Sequence, residues 1–391
     1  MPNNFSSHFL LDPTVTFLNI GSFGACPKPI FEEYQNWQMK LEQEPVQFIK
    51  FNAPAYLEIA RKALGTYLHA DADDIVYVPN PTTAANIIAK SFPLQAGDEV
   101  LTTDLEYGAC AKTWSYYCKK AAAKLVQQPI TLPIVSKNQF IADFFAGCTA
   151  KTKLIFISHI TSTTALIFPV QEIVALAKQK GIPIFVDGAH APGQVPLDLQ
   201  DVDADFYTGA CHKWMMTPKG SSFLHVKKKW QTILDPLVVS WGYDSAIPSH
   251  SQFLDYHQMQ GTCDFSAYLC ISKAIEYMQQ NNWQAVTASC RELVLYNANR
   301  FITLFNSTPI SPLTNEWIAQ MLSIPIHTNN AWELEKHLFE KYRITIPIMP
   351  HGNKIYMRYS IGAFNTQADL DKLYNALQEI LQEGKYLFAF K

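Results

Sequence analysis

Several kinds of pattern are missing from this chain of 391 residues. No uninterrupted apolar run reaches the roughly 18 residues that a membrane-spanning helix needs, and no basic segment followed by an apolar stretch stands at the N-terminus. The 31 basic and 34 acidic residues give a net charge of -3, which provides no attraction to nucleic acid or to an anionic membrane. We therefore expect a cytoplasmic protein that binds neither nucleic acid nor membrane.

Signatures of metal and dinucleotide sites are missing as well. The eight cysteines are scattered, with no Cys-x-x-Cys and no closely spaced Cys/His pattern, in a chain far larger than the small disulfide scaffolds. Free thiols and no bound metal are expected. No Gly-x-Gly-x-x-Gly follows a predicted strand, which disfavours a nicotinamide-dependent oxidoreductase.

What the chain does have is an alternation of short apolar strands and helical stretches between residues 75 and 226. Such alternation predicts an α/β fold with a largely parallel sheet. Its predicted strands are Ile75–Val78, Glu99–Leu101, Lys153–Ile157, Ile182–Val186, Ala204–Gly209 and Ser221–Val226. The segment after Phe265 predicts two long amphipathic helices (267–280 and 284–305), strands near 321–326 and 354–359, and a last helix after Thr366. These elements indicate a second, smaller α+β domain.

The most informative pair of residues is Asp187 and Lys213. Asp187 ends a predicted buried strand, and Lys213 lies on the loop after the strand 204–209, at the same edge of the sheet. An enzyme that uses pyridoxal phosphate (PLP) requires at least two groups: a lysine amine that can condense with the cofactor aldehyde, and a carboxylate that can hold the pyridine nitrogen protonated. The alternative is that neither residue belongs to a site, with Asp187 a turn or N-cap aspartate and Lys213 a surface lysine.

A phosphate site is also indicated. The strand Ile75–Val78 runs into Pro79-Asn-Pro-Thr-Thr-Ala-Ala-Asn86, where a helix begins. The N-terminus of a helix offers unpaired N–H groups and a favourable dipole to a phosphate, so Thr82 and Thr83 are candidate ligands, although an ordinary threonine N-cap would show the same pattern.

Together these segments resemble the class V aminotransferases of PLP fold type I, most closely the branch that resembles isopenicillin N epimerase. The resemblance covers nearly the whole chain through the order and spacing of Asn19-Ile-Gly-Ser-Phe-Gly24, Asn80-Pro-Thr-Thr-Ala-Ala-Asn86, Glu106-Tyr-Gly108, Ser158-His-Ile-Thr-Ser162, Val186-Asp-Gly-Ala-His190, His212-Lys-Trp214, Gly261-Thr262 and Arg358-Tyr-Ser360. It implies a large PLP-binding domain (16–255) with a mostly parallel seven-stranded sheet. A smaller α+β domain (256–391) would follow, with residues 1–15 packed against it, and the chain would form a homodimer with shared active sites.

The resemblance also implies roles for single residues. Tyr107 would stack on the cofactor ring, His190 would contact its phenolic oxygen, and Ser162 would lie beside it. His212 would add to the phosphate site, as would Gly261 and Thr262, which the second subunit would supply. Arg358 would bind the substrate carboxylate in a pocket lined by Asn19 and Ser22, a role suited to the planar guanidinium.

Two departures from the family pattern stand out. Ala210 occupies a position where close relatives usually carry Asn and the desulfurases carry Ser, so one phosphate contact is either missing or supplied elsewhere. No cysteine lies between Arg343 and Arg358, where the desulfurases carry their nucleophilic thiol, which disfavours persulfide formation.

The reaction stays open at this stage. Lys213 is the expected base at Cα of an amino acid, and epimerisation or transamination is favoured, with C–S or other β-lyase chemistry as the alternative. A protein that uses the same fold only for sensing or binding is the alternative of another class.

Overall fold

The computed structural model describes residues 5–390, so residues 1–4 of the N-terminal segment and Lys391 lie outside the described residues. The helices are α1 (Ile20–Phe23), α2 (Lys28–Gln43), α3 (Ala53–Leu68), α4 (Pro81–Ser91), α5 (Gly108–Lys120), α6 (Lys137–Phe145), α7 (Val170–Gln179), α8 (Leu199–Val202), α9 (Lys228–Gln231), α10 (Gln252–Gln258), α11 (Ser266–Gln280), α12 (Trp283–Leu304), α13 (Ala331–Tyr342) and α14 (Gln367–Glu383). Short 3-10 helices span Phe5–His8 and Ala72–Asp74, and a π-helical turn spans Gln47–Asn52.

The strands are β1 (Thr16–Phe17), β2 (Ile75–Val78), β3 (Glu99–Thr103), β4 (Lys124–Gln128), β5 (Thr152–Ser158), β6 (Ile184–Asp187), β7 (Phe206–Ala210), β8 (Ser222–Val226), β9 (Met321–Thr328), β10 (Ile344–Thr345), β11 (Ile348–His351), β12 (Lys354–Ser360) and β13 (Leu387–Phe388).

A seven-stranded sheet of order β2-β8-β7-β6-β5-β3-β4 forms the centre of the fold. The run from β7 to β4 is parallel throughout, whereas β8 is antiparallel to both β7 and β2. The predicted α/β class, with a mostly parallel seven-stranded sheet, is therefore confirmed. Because β2 then runs in the same direction as β7, the carboxyl ends of β2, β3, β5, β6 and β7 all meet at one edge.

The central strands are apolar on both faces. Along β5, Ile155 and Ile157 belong to one hydrophobic core and Leu154 and Phe156 to the other, on the opposite face of the sheet. Helices bury both faces, which is why these strands show continuous apolar runs rather than alternation. The edge strand β4 is partly exposed and mixes lysine and glutamine with two apolar residues, so the sequence did not reveal it.

A second, antiparallel sheet of order β11-β12-β9-β13 carries Arg358 on β12, opposite Ser323 of β9. The N-terminal residues contact this C-terminal part: His8 Nδ1 lies 2.8 Å from the Tyr277 hydroxyl of α11, and the rings of Phe9 and Phe364 are 4.9 Å apart. The short strand β1 pairs in parallel with β10. The division of the chain at residue 255 stays a prediction.

The described cysteines are all unpaired. Among residues 5–390, no helix combines the length and apolar character needed to span a bilayer.

Gly24, at the end of α1, connects the N-terminal segment with the loop that carries Lys213. Its φ is 70°, and a Cβ built on it would lie 1.8 Å from the carbonyl oxygen of His212 and 2.9 Å from Cα of Lys213. Only glycine allows the two backbones to approach this closely.

We expect Gly24→Ala to lower the free energy of unfolding by more than about 3 kcal/mol, because backbone strain and a backbone clash add. Gly97→Ala is the matched control, since Gly97 also has a positive φ of 87° but its Cβ would meet nothing within 4 Å. That variant should lose only about 1 kcal/mol. Chemical denaturation measures both, and equal losses would show that the close approach at His212 is not a constraint.

Candidate active site

The common carboxyl edge of the parallel strands opens into a cavity of about 720 Å³. This is the position at which open α/β sheets bind ligands. Its lining includes residues from six separate segments of the chain: Ser22, Thr82, Tyr107, Ser162, Asp187 and Lys213. The structure thus brings most of the predicted site residues together.

Lys213 lies in the connection between the antiparallel strands β7 and β8. Both ends of this connection are fixed, because the backbone N–H groups of Cys211 and His212 donate to the Ser221 carbonyl at 3.1 Å. Burial lowers the pKa of Lys213 to about 8, and the positive charge of Arg358 contributes further. The amine is therefore still mostly protonated at pH 7, and its neutral, nucleophilic form becomes abundant near pH 8.

His190 and Trp214 form a chain of contacts that ends at the Lys213 amine. The indole N–H of Trp214 donates to His190 Nδ1 at 3.3 Å, and His190 Nε2 lies 3.2 Å from Lys213 Nζ. Burial holds the pKa of His190 well below its usual range, so the ring is neutral. Because Nδ1 accepts from the indole, the proton is on Nε2, and this N–H can donate to Lys213 Nζ only when the amine is deprotonated.

Asp187 ends β6 and is 4% exposed. Its Oδ1 accepts from the Ala189 N–H at 3.0 Å, and its Oδ2 lies 3.5 Å from the Cys110 thiol. Burial raises the pKa of Asp187, while the Ala189 N–H and the charge of Lys213 lower it. A buried carboxylate whose hydrogen-bond partners are all neutral is well matched to a protonated ring nitrogen.

The phosphate site predicted from the sequence lies where α4 begins. Asn80 caps the helix, its side-chain oxygen accepting from the backbone N–H of Thr83 at 2.9 Å. Thr82, Thr83 and His212 all line the cavity beside this end of the helix. Burial lowers the pKa of His212 to about 4, so His212 acts as a neutral hydrogen-bonding group.

Tyr107 immediately precedes α5 and lines the same cavity, with 47% of its surface exposed. A large apolar ring left this open fits the predicted stacking role. Gly261 and Thr262 are different, because they are exposed and neither lines the cavity. One chain alone does not bring them to the site, and their contact with phosphate stays a prediction. Ala210 is fully buried at the end of β7.

Arg358 is buried behind the cavity wall, with 1% exposure. Its guanidinium donates to the Ser162 carbonyl at 2.6 Å, to the Ser22 hydroxyl at 3.1 Å and to the Asn19 side-chain oxygen at 3.3 Å. Ser22 and Ser162 line the cavity, whereas Arg358 does not. Burial lowers the pKa of Arg358 to about 10, so the side chain keeps its charge at neutral pH among neutral partners.

Sequence reasoning assigned no role to four residues that shape the site. Trp214 orients His190, Cys110 contacts Asp187, and Glu106 is buried with a hydrogen bond to Ser158. Glu106, Ser158 and Trp214 lie within the segments that carry the family resemblance, so the sequence pointed to their neighbourhood. It did not reveal their hydrogen-bond partners, because those partners come from other strands and helices.

Comparison with known proteins agrees with this geometry. The family model described as "Aminotransferase class-V" matches residues 27–373. The chain belongs to the class V aminotransferase family. This class V chain is 32% identical over 388 residues to isopenicillin N epimerase from Streptomyces clavuligerus, covering 96% of this chain and 97% of that protein. It is 28% identical over 415 residues to putative L-cysteine desulfhydrase 1 from Oryza sativa subsp. japonica, covering 95% of this chain and 84% of that protein.

The fold of this class V protein also matches that of C-DES, solved with glycine covalently linked to its PLP cofactor, at a TM-score of 0.80 and 18% identity. The match covers 97% of this chain and 100% of that chain. The cofactor of the class V protein is pyridoxal 5'-phosphate. Its site fits the molecule, because a buried carboxylate, a lysine amine of lowered pKa and a helix N-terminus meet in one cavity.

Covalent attachment to Lys213 is the first test of this class V site. Borohydride reduction of the holoenzyme should fix the cofactor on the peptide that contains Lys213, as identified by mass spectrometry. Lys213→Ala should abolish the fixed adduct, whereas Lys219→Ala, a nearby lysine control, should keep it. An adduct on any other lysine would refute the assignment.

Proposed function

We propose that this enzyme removes the Cα proton of an α-amino acid and catalyses its epimerisation or transamination. The buried Arg358 carries the proposal. A guanidinium with only neutral partners lies directly behind the serines of the cavity wall, and displacement of Ser22 from it would let it take the carboxylate of an amino acid in two parallel hydrogen bonds. The relative with 32% identity, isopenicillin N epimerase, supports the same class of reaction.

Each residue then has one task. Bound pyridoxal phosphate supplies an aldehyde for the amine and a ring that accepts the electrons released at Cα. Arg358, with Ser22 and Asn19, holds the substrate carboxylate and so sets the direction of the Cα–H bond. Lys213 takes the proton, since its lowered pKa leaves a substantial neutral fraction near pH 8. Asp187 holds the ring nitrogen protonated.

The fate of the proton separates the reactions. Reprotonation of Cα on the opposite face, by a donor other than Lys213, would give epimerisation, whereas protonation at the cofactor would give transamination. C–S lyase chemistry is the second candidate, supported by the relative named L-cysteine desulfhydrase. Cys211 is not a nucleophile for persulfide formation in this proposal, because burial raises the pKa of its thiol to about 12.

The proposed active unit is a homodimer. The segment before Thr262 exposes large apolar side chains, with Trp241 85% and Ile247 90% exposed. Exposed apolar clusters of this kind are typical of protein interfaces. Pairing through this segment would bring Gly261 and Thr262 to the phosphate site of the second subunit.

Arg358→Lys tests the substrate class. Lysine keeps the charge but loses the planar fork, so solvent deuterium exchange at Cα should slow about ten- to a hundred-fold in kcat/KM, equivalent to about 1.5–3 kcal/mol. The visible spectrum of the cofactor should survive. Exchange is followed over a panel of L- and D-amino acids.

Arg300→Lys is the control. Arg300 of α12 forms an ion pair with Asp371 of α14, and neither residue lines the cavity. Unchanged exchange in Arg358→Lys, or equal exchange on decarboxylated amines, would remove the amino-acid proposal. Loss of optical activity identifies the epimerase, a keto acid with amino-form cofactor identifies the aminotransferase, and a released thiol or sulfide identifies the lyase.

The homodimer is tested by mixing two inactive variants, Lys213→Ala and Thr262→Val. If Thr262 serves the other subunit's site, half of the exchanged dimers contain one intact site, and activity should recover to about a quarter of the wild type. Lys213→Ala mixed with itself is the control and should stay inactive. A catalytically active monomer in ultracentrifugation would contradict the shared site.

A further inference from the structure

A second buried carboxylate lies beside Asp187. Glu106 is 5% exposed and occupies the turn between β3 and α5, immediately before Tyr107. Its Oε1 accepts from the Thr103 hydroxyl at 2.7 Å and its Oε2 from the Ser158 hydroxyl at 2.5 Å. Both carboxylate oxygens are therefore held, and by hydroxyls at the ends of two different strands.

The sheet register places this carboxylate next to the cofactor site. Ser158 at the end of β5 is the direct partner of Asp187 at the end of β6. Partner residues on neighbouring parallel strands are about 4.8 Å apart and point to the same face. Glu106 thus accepts a hydrogen bond from the hydroxyl of Ser158, which lies beside Asp187, the carboxylate proposed to hold the ring nitrogen.

We propose that Glu106 is a positioning residue that, acting through Ser158 and Asp187, supplies a second negative charge which keeps the ring nitrogen of the cofactor protonated. The hydrogen-bond partners of both carboxylates are neutral: Thr103, Ser158, the Ala189 N–H and the Cys110 thiol. Two adjacent buried carboxylates disfavour each other's ionisation, so both ionise only beside positive charge. Lys213 supplies part of that charge, and the protonated ring of the bound cofactor would supply more.

The electrostatics support this arrangement. Burial raises the pKa of Glu106 to about 7, and the charge of Asp187 adds to it, while the two hydroxyls and the Ser158 backbone oppose it. The other titratable groups that face the pair are Cys110 on α5, Tyr207 on β7 and Lys213 after β7. Before cofactor binds, Glu106 shares its site with a proton near neutral pH. A protonated ring bound beside Asp187 would favour release of that proton to solvent.

The inference concerns cofactor binding and does not depend on which reaction the enzyme catalyses. Glu106→Gln keeps the size and one acceptor for the hydroxyls but removes the charge. In the holoenzyme without substrate, the pH at which the ring nitrogen loses half of its proton, followed by NMR of 15N-labelled pyridoxal phosphate, should fall by about one unit, because removing a negative neighbour disfavours the protonated ring.

Proton release is the second readout. At pH 7, binding of pyridoxal phosphate to the wild-type apoprotein should release about half a proton more than binding to Glu106→Gln, since a group with a pKa near the working pH is half protonated. Calorimetry in two buffers of different ionisation heat measures this number.

Glu99→Gln is the matched control. Glu99 starts the same strand β3 and accepts a hydroxyl hydrogen bond from Thr149 at 2.5 Å, but it lies at the opposite end of the strand from the site. This variant should leave the midpoint and the proton release unchanged.

Thr103→Val keeps the proposal testable if Glu106→Gln fails to fold. It keeps the carboxylate and removes one hydroxyl donor, so Glu106 should bind its proton more tightly in the apoprotein and release more of it when cofactor binds. The midpoint of the ring-nitrogen titration should stay near that of the wild type. If Glu106 had a purely structural role, the titration midpoint would shift in the same direction in Glu106→Gln and Thr103→Val. An unchanged midpoint with unchanged proton release in Glu106→Gln would overturn the proposal.

Discussion

Charged groups buried at the carboxyl edge of the main sheet are the constraint on which the site depends. Asp187 and Arg358 are buried and Lys213 lines the cavity, and a charge buried without a partner costs several kcal/mol. The protein surrounds these groups largely with neutral hydrogen-bonding partners. Ligands that carry the complementary charges then bind to groups that are already oriented and already stripped of water, which is the condition for strong electrostatic stabilisation.

The surrounding structure can be understood as the means of holding these groups in place. Apolar strands buried on both faces give a rigid edge, and the short loops after them carry the polar side chains. The N-terminal segment closes the cavity from the other side, with Gly24 against the backbone of His212 and Ser22 against Arg358. Residues more than 300 positions apart, such as Asn19 and Arg358, meet in one hydrogen-bond network as a result.

The sequence allowed the parallel sheet and the edge position of Asp187 and Lys213 to be predicted, because buried parallel strands have continuous apolar runs and polar residues at their ends. The bounds of β2 were predicted without error. The strand β4 was not found, since its half-exposed edge position leaves no strong pattern. The partners of Glu106 and His190 were also out of reach, because spacing along one strand does not reveal the register between strands.

The loop that carries Lys213 is a hairpin connection between two central strands, and this has a consequence for how its amine moves. Hydrogen bonds at both ends and the contact with Gly24 hold its backbone. The lysine can therefore exchange partners by rotating about its own side-chain bonds, with no rearrangement of the main chain. The position of its amine then depends on side-chain rotamers and on the neighbours that restrict them, such as His190.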